Sequence, residues 1–279
     1  MQNSYKPLKN IQILTIALNL PGPLATKRLV EMGATAIKVE PPSGDPFKQY
    51  VKDWYQDLNK NQEIISLDLK TEQGQYIFKK YLAKSALLIT AQRPKALKRL
   101  GLDWPSLHKQ YPRLQHLEIV GYPAPNDNTA GHDLTYQAAL GLINPPHMPK
   151  TLLADMAAGE QAALKALEMI MAYKDDQAGS KYQLALAETA EYMAQPIKYG
   201  LTSNDGLLAA NLAEYAIYET KQGWLALAAL EPHFQTNLKR GLGLEVINKE
   251  SLSKKFIEKT AQEWLILAKE YDIPLAKIS

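Results

Sequence analysis

Apolar and polar positions along the first half of the chain change period repeatedly. Short β-prone runs at Ile11–Ile16, Ala36–Val39, Ala86–Thr90 and Leu114–Ile119 read as strands, while Gly22–Met32 and Gln75–Lys84 carry the wider spacing of amphipathic helices. Strand and helix alternate, and that order predicts an α/β fold with a mainly parallel, Rossmann-like sheet flanked by helices. In open sheets of this kind ligands collect at the carboxyl ends of the strands, so the loops there are where chemistry is expected.

Beyond residue 150 the pattern changes. Met156–Tyr173 is Ala-rich, largely apolar and a strong helix former, which predicts a long buried helix starting directly after Asp155. Lys181–Ala190 reads as a strand running into a helix. A polar, Gly-containing linker follows at 199–206, and then Tyr215–Glu219 and Trp224–Leu230 flank the Lys221-Gln222-Gly223 turn as a β-hairpin. With Leu252–Lys269 as its main helix, the remainder predicts a small α/β domain over 199–279 beside a large domain over 1–198.

Composition narrows the classes. The 279 residues are 46% hydrophobic and 22% charged, close to the soluble globular average. The 32 Lys and Arg nearly balance 29 Asp and Glu, so no nucleic-acid surface is expected, although a local anion site is compatible with a net charge of +3. Cysteine is absent, which excludes a disulfide framework, a thiolate nucleophile and a Cys-based zinc site, and suits a reducing cytoplasm. The first residues lack the layout of a signal peptide, and no apolar run approaches the ~18 residues of a membrane span. A soluble cytoplasmic protein without membrane or nucleic-acid partners is the expectation.

A few polar residues stand where chemistry is expected, each with an ordinary alternative. His132 follows Gly131 in a loop and reads equally as a loop histidine with one hydrogen bond. Asp155, directly before the long helix, reads as an N-cap. Glu231 precedes Pro232 and is held extended, where a solvated carboxylate is common. Arg93 follows the Ala86–Thr90 strand, where a surface cation is common. His147 and His233 have no metal-ligand spacing with the available carboxylates, so no metal is expected.

Taken in order, several strings resemble one family. These are Pro21-Gly22-Pro23-Leu24-Ala25-Thr26, Glu31-Met32-Gly33-Ala34 through Val39-Glu40-Pro41-Pro42, Ser66-Leu67-Asp68-Leu69-Lys70 with Gly74, and Gln92-Arg93-Pro94 with Leu100-Gly101-Leu102. Ala130-Gly131-His132-Asp133-Leu134-Thr135-Tyr136, Leu152-Leu153-Ala154-Asp155-Met156-Ala157-Ala158-Gly159, Tyr218-Glu219-Thr220-Lys221-Gln222-Gly223 and Leu230-Glu231-Pro232-His233-Phe234 continue the series, with Gly241-Leu242-Gly243-Leu244 after them. From about Leu8 to about Pro274 the chain is similar to the class III (CaiB/BaiF) CoA-transferase superfamily, and its His and Glu strings resemble the α-methylacyl-CoA racemase branch.

The resemblance implies 1,1-proton transfer at the α-carbon of a 2-methyl-branched acyl-CoA. His132 would serve one face, Asp155 the other, and Glu231 would hold the second imidazole nitrogen. It implies Arg93 in the CoA site, with Lys38, Lys60 and Lys95 as further cofactor-binding candidates. Coenzyme A would enter as part of the substrate, with no prosthetic group, and the enzyme would be a homodimer sharing its active site. Two rival readings stand beside this one: a class III CoA-transferase with Asp155 as nucleophile, and a non-catalytic acyl-CoA-binding member. Set against the family it resembles, Asn59-Lys60-Asn61-Gln62-Glu63 is expected to be less basic than the matching segment, Tyr136 to Leu152 to be shorter than the acyl-covering loop, and the usual C-terminal return to the large domain to be missing after Pro274.

Overall fold

Adjacent residues of a strand point to opposite faces, so a strand apolar at every position needs cover on both sides. The computed structural model describes residues 5–278. The chain divides into two compact units, one running to Ala194 and the other starting at Gln195. The first contains β1 (Gln12–Thr15), α1 (Pro21–Glu31), β2 (Thr35–Glu40), α2 (Phe47–Tyr50), α3 (Lys52–Leu58), β3 (Glu63–Ser66), α4 (Glu72–Leu82) and β4 (Leu87–Thr90). It continues with α5 (Pro94–Arg99), α6 (Trp104–Gln110), β5 (Gln115–Val120), α7 (Asp133–Ala139), α8 (Leu153–Lys174), β6 (Lys181–Ala185) and α9 (Leu186–Met193).

The six strands form one parallel sheet in the order β3-β2-β1-β4-β5-β6, the doubly wound Rossmann-like arrangement expected. Alternate residues do go to opposite cores. Ile13, Leu87, Ile89, Leu117 and Ile119 pack with Ala25 and Leu29 of α1 and with Ala158, Ala162 and Ala166 of α8. Leu14, Ile37, Val39 and Leu88 pack on the other side with Phe78 and Leu82 of α4, Leu97 of α5 and Leu107 of α6. The small residues of α8 let it approach α1 closely: a Cβ on Gly159 would lie 2.6 Å from a Leu24 methyl.

This order puts a topological switch point between β1 and β4, where the connections leave to opposite faces of the sheet. The loops after β1, β4 and β5 therefore open a crevice at the carboxyl edge.

The second unit holds α10 (Gln195–Lys198), an irregular turn at Leu207–Asn211, β7 (Tyr215–Glu219), β8 (Trp224–Ala228), α11 (Pro232–Leu242), α12 (Lys249–Phe256), α13 (Ala261–Tyr271) and β9 (Leu275–Ile278). β7 and β8 pair antiparallel as the expected hairpin, and β9 adds a third strand on β8 that the sequence pattern did not reveal. Leu252–Lys269 is not one helix but parts of two. Thr260 and Glu263 form a capping box, in which the Glu263 carboxylate accepts the Thr260 N–H at 2.8 Å, and this starts α13 afresh. The break lets Trp264 of α13 donate its indole N–H to the Phe256 carbonyl at 2.8 Å inside the core.

Candidate active site

Loops at the carboxyl ends of β1, β4 and β5 enclose a cavity of about 440 Å³ that has both His132 and Asp155 in its lining. Its walls come from Leu18–Pro21 after β1, Pro46, Phe47 and Tyr50 around α2, Ala91 after β4, Ile119–Gly121 at the end of β5, and Leu186 at the start of α9. A second cavity of about 220 Å³ also reaches His132 and is lined by Gln92, Arg93 and Asp127. The two share Ala91, Gly121 and Gly131, so the imidazole stands where they meet.

His132 is the residue before α7. Thr135 fixes this helix start, accepting the His132 N–H at 3.1 Å and donating its hydroxyl to the His132 carbonyl at 2.8 Å, while the imidazole is left on the exposed side. Gly131 is required just before it, because a Cβ there would lie 2.5 Å from the Tyr136 hydroxyl oxygen. Tyr136 is buried against Tyr122 with ring centroids 5.3 Å apart, and burial first, then Tyr122, Asp155 and Asp133, pushes its phenol up to about 12.

Asp155 differs from the expected N-cap. α8 begins two residues earlier, at Leu153, and Asp155 occupies its first turn. The physical reason is Asp133, a buried carboxylate in the first turn of α7, whose Oδ1 accepts the Asp155 N–H at 3.1 Å. Its Oδ2 accepts from the Gln137 amide, which also donates to the Thr151 carbonyl at 3.1 Å. Asp133 thus joins the helix start that carries His132 to the one that carries Asp155. Neither Asp133 nor Gln137 was singled out from sequence, since an acidic residue in a helix's first turn is ordinary.

Burial, followed by the nearby Asp133 charge, pushes the Asp155 carboxyl up from 3.8 to about 7. The helix start would favour the anion, so desolvation and like charge outweigh the dipole here. Because the folded value lies above the ordinary one, ionising Asp155 destabilises the fold, and this penalty grows as pH rises from about 4 through about 7. Asp155→Asn removes the penalty. Its stability relative to the parent should therefore rise over that window, by on the order of a few kcal/mol at most. Thermal unfolding of the two proteins at several pH values measures this, and a difference independent of pH contradicts the assignment.

The other candidates are placed unevenly. Arg93 precedes α5 with its side chain exposed on the smaller cavity. Lys95 and Lys60 are exposed and line neither cavity. Lys38 is a correction: it is fully buried, with Nζ 2.6 Å from Asp45 Oδ2 and 3.1 Å from Glu40 Oε1, so its charge is already neutralised and is not offered to a phosphate. Asp45 in turn accepts the N–H of Asn19 at 3.1 Å and of Phe47 at 3.0 Å, so this buried cluster fixes two walls of the larger cavity. Glu231 belongs to the second unit, where it precedes α11. Among the described residues no group of three or more His, Cys, Asp or Glu is placed to hold a metal ion, and no helix is long and apolar enough to cross a membrane.

Comparison with known proteins supplies the family. The chain is 28% identical to human α-methylacyl-CoA racemase, over 92% of this chain and 74% of the relative. It is 25% identical to cinnamoyl-CoA:phenyllactate CoA-transferase of Clostridium sporogenes, over 99% of this chain and 79% of the relative. The crystal structure of Rv3272 from Mycobacterium tuberculosis superimposes with a TM-score of 0.86 at 24% identity, covering 99% of this chain and 84% of that one, and so has the same fold. The model of CoA-transferase family III, whose relatives here include both transferases and racemases acting on CoA thioesters, matches residues 8–279, and the chain belongs to that family.

Proposed function

We propose that this protein catalyses 1,1-proton transfer at the α-carbon of a 2-methyl-branched acyl-CoA thioester. One observation carries the reading: His132 and Asp155, whose carboxyl burial and Asp133 push up to about 7, line a single cavity. A thioester's α-proton can be removed when a positioned base accepts it and the enolate oxygen is stabilised. Inversion then needs a proton donor on the opposite face. A carboxyl near 7 populates both its acid and base forms at neutral pH, which suits a residue that must act in both directions. Backbone N–H groups at the start of α8 are natural donors to the enolate oxygen.

Arg93 is proposed to contact the CoA portion of the substrate, and Glu231 of a second copy of the chain to orient the imidazole. The larger cavity accepts the acyl group in this reading. Incubating a chiral 2-methylacyl-CoA with the enzyme in heavy water should label the α-position and scramble its configuration. Unlabelled, unscrambled substrate from folded enzyme overturns the proposal.

CoA transfer is the second reading, favoured by the same cavity position of Asp155, which as a nucleophile would form a mixed anhydride and then an enzyme-CoA thioester. Borohydride or hydroxylamine trapping distinguishes the two, because proton transfer leaves no covalent adduct. CoA binding with neither exchange nor trapping would mark a non-catalytic member.

A further inference from the structure

The two cavities that meet at His132 differ in charge. The smaller one carries the cation Arg93, with the carboxylate Asp127 also in its lining. The larger one has no Lys or Arg in its lining; its only ionisable side chains are His132, Asp155, Tyr50 and Tyr136. The remainder of its wall is mostly apolar, with Leu18, Leu20, Phe47, Ile119, Leu152 and Leu186 among its side chains, and Asn19 is its one uncharged amide. Behind Asp155 stands a further buried carboxylate, Asp133.

From this division we infer that the site selects thioesters whose acyl group carries no second charge, and that a cation introduced at Tyr50 or Leu152, exposed residues of the cavity lining, relaxes this selectivity. The inference rests on the reading of the larger cavity as the acyl site. A second carboxylate entering it would leave water for a mostly apolar surface and find no Lys or Arg to pair with. It would also approach Asp155, a carboxyl already held up in part by Asp133. Both effects disfavour a dicarboxylic acyl arm, whereas an aliphatic arm of the same size gains from leaving water. A binding site for a distal carboxylate would need a positioned Arg or Lys, and bidentate Arg is the strongest form of that contact.

Tyr50 is 71% exposed and Leu152 40% exposed, so an arginine at either position keeps its charge hydrated and does not ask the core to accept it. Tyr50→Arg and Leu152→Arg should therefore fold while bringing a cation to the mouth of the acyl cavity. Tyr50→Gln serves as the neutral control.

The test is calorimetric binding of two non-reactive CoA thioethers. One carries a branched alkyl arm ending in isopropyl, the other the matching arm ending in carboxylate, so the two differ in charge and scarcely in shape. The parent protein should bind the isopropyl compound at least about tenfold more tightly, a difference of about 1.4 kcal/mol. In Tyr50→Arg or Leu152→Arg that ratio should shrink or reverse, and in Tyr50→Gln it should stay. Equal or tighter binding of the carboxylate by the parent overturns the inference, as does a ratio unmoved in both arginine variants. Binding involves no proton transfer, so selectivity without α-proton exchange would sink the proposed reaction alone. Exchange of a 2-methylacyl-CoA in the separate heavy-water assay, together with equal binding of the two thioethers, would sink this inference alone, and binding of neither compound overturns both.

Discussion

Under the proposed proton transfer, Asp155→Asn should lower the rate at which the two enantiomers interconvert by about 10²–10⁴-fold while leaving the protein folded, the range expected when a positioned acid–base group is removed. Asparagine keeps the size of the side chain, and its backbone N–H keeps the bond to Asp133 at 3.1 Å, so the α8 start should be unchanged. What is lost is a carboxyl titrating near 7 on the wall of the cavity. His132→Ala should cost a comparable factor for a different reason. The imidazole is exposed and α7 is started by Thr135, so the substitution removes a proton acceptor with little structural consequence. Steady-state interconversion of the enantiomers by the two variants, with unfolding curves to establish that each is folded, measures both effects. Activity within a few-fold of the parent in either variant would show that its residue moves no proton.

Lys38→Met produces the largest loss of stability, about 3–5 kcal/mol, because it strands two buried carboxylates without their counter-ion. Methionine fills nearly the same space along Tyr55, whose ring lies 4.9 Å from the ammonium, so the change is mostly one of charge. Glu40 would retain the Tyr55 hydroxyl as donor at 2.8 Å, and Asp45 the N–H groups of Asn19 and Phe47, but no cation would remain within the cluster. Lys60→Met and Lys95→Met should each stay within about 0.5 kcal/mol of the parent, as exposed side chains away from any buried network usually do. Denaturant midpoints of the three variants separate these outcomes. A Lys38 variant as stable as the other two contradicts a structural role for the pair.

The parts of the fold legible in the sequence are those that hydrophobic burial alone dictates. β1, β4 and β5 are buried along nearly their whole length; β1 and β4 sit as short, mostly apolar runs between turns, and in β5 Leu117, Ile119 and Val120 carry the signal beside the buried polar Gln115, His116 and Glu118. β3 escaped because it is an edge strand with little burial: Glu63-Ile64-Ile65-Ser66 is mostly exposed and carries only half the signal. The two C-terminal helices merged into one expectation because apolar spacing runs through the break, although the Thr260–Glu263 capping box was readable there.

Within the site, His132 and Asp155 were found through their family strings, and local sequence alone reads them as a loop residue and a cap. Their meeting depends on a hydrogen bond between Asp133 and Asp155, 22 positions apart, which no local pattern encodes. Lys38 was misread for the opposite reason. Its place between Ile37 and Val39, in the middle of an apolar strand, argues for a paired buried charge, and Asp45 lies only seven residues away. A cation beside a strand's carboxyl end resembles a ligand contact until its burial is known.

The central claim is that His132 and Asp155 act on opposite faces of one α-carbon, and single-enantiomer exchange tests it most directly. Each enantiomer of a 2-methylacyl-CoA is incubated in heavy water with His132→Ala and with Asp155→Asn, and α-deuterium is followed over time. Neither variant should interconvert the enantiomers, but each should still exchange the α-proton of one of them, with opposite preference in the two variants. If both variants exchange the same enantiomer, or if either interconverts both at the parent's rate, the two residues are not the opposed acid–base pair described here.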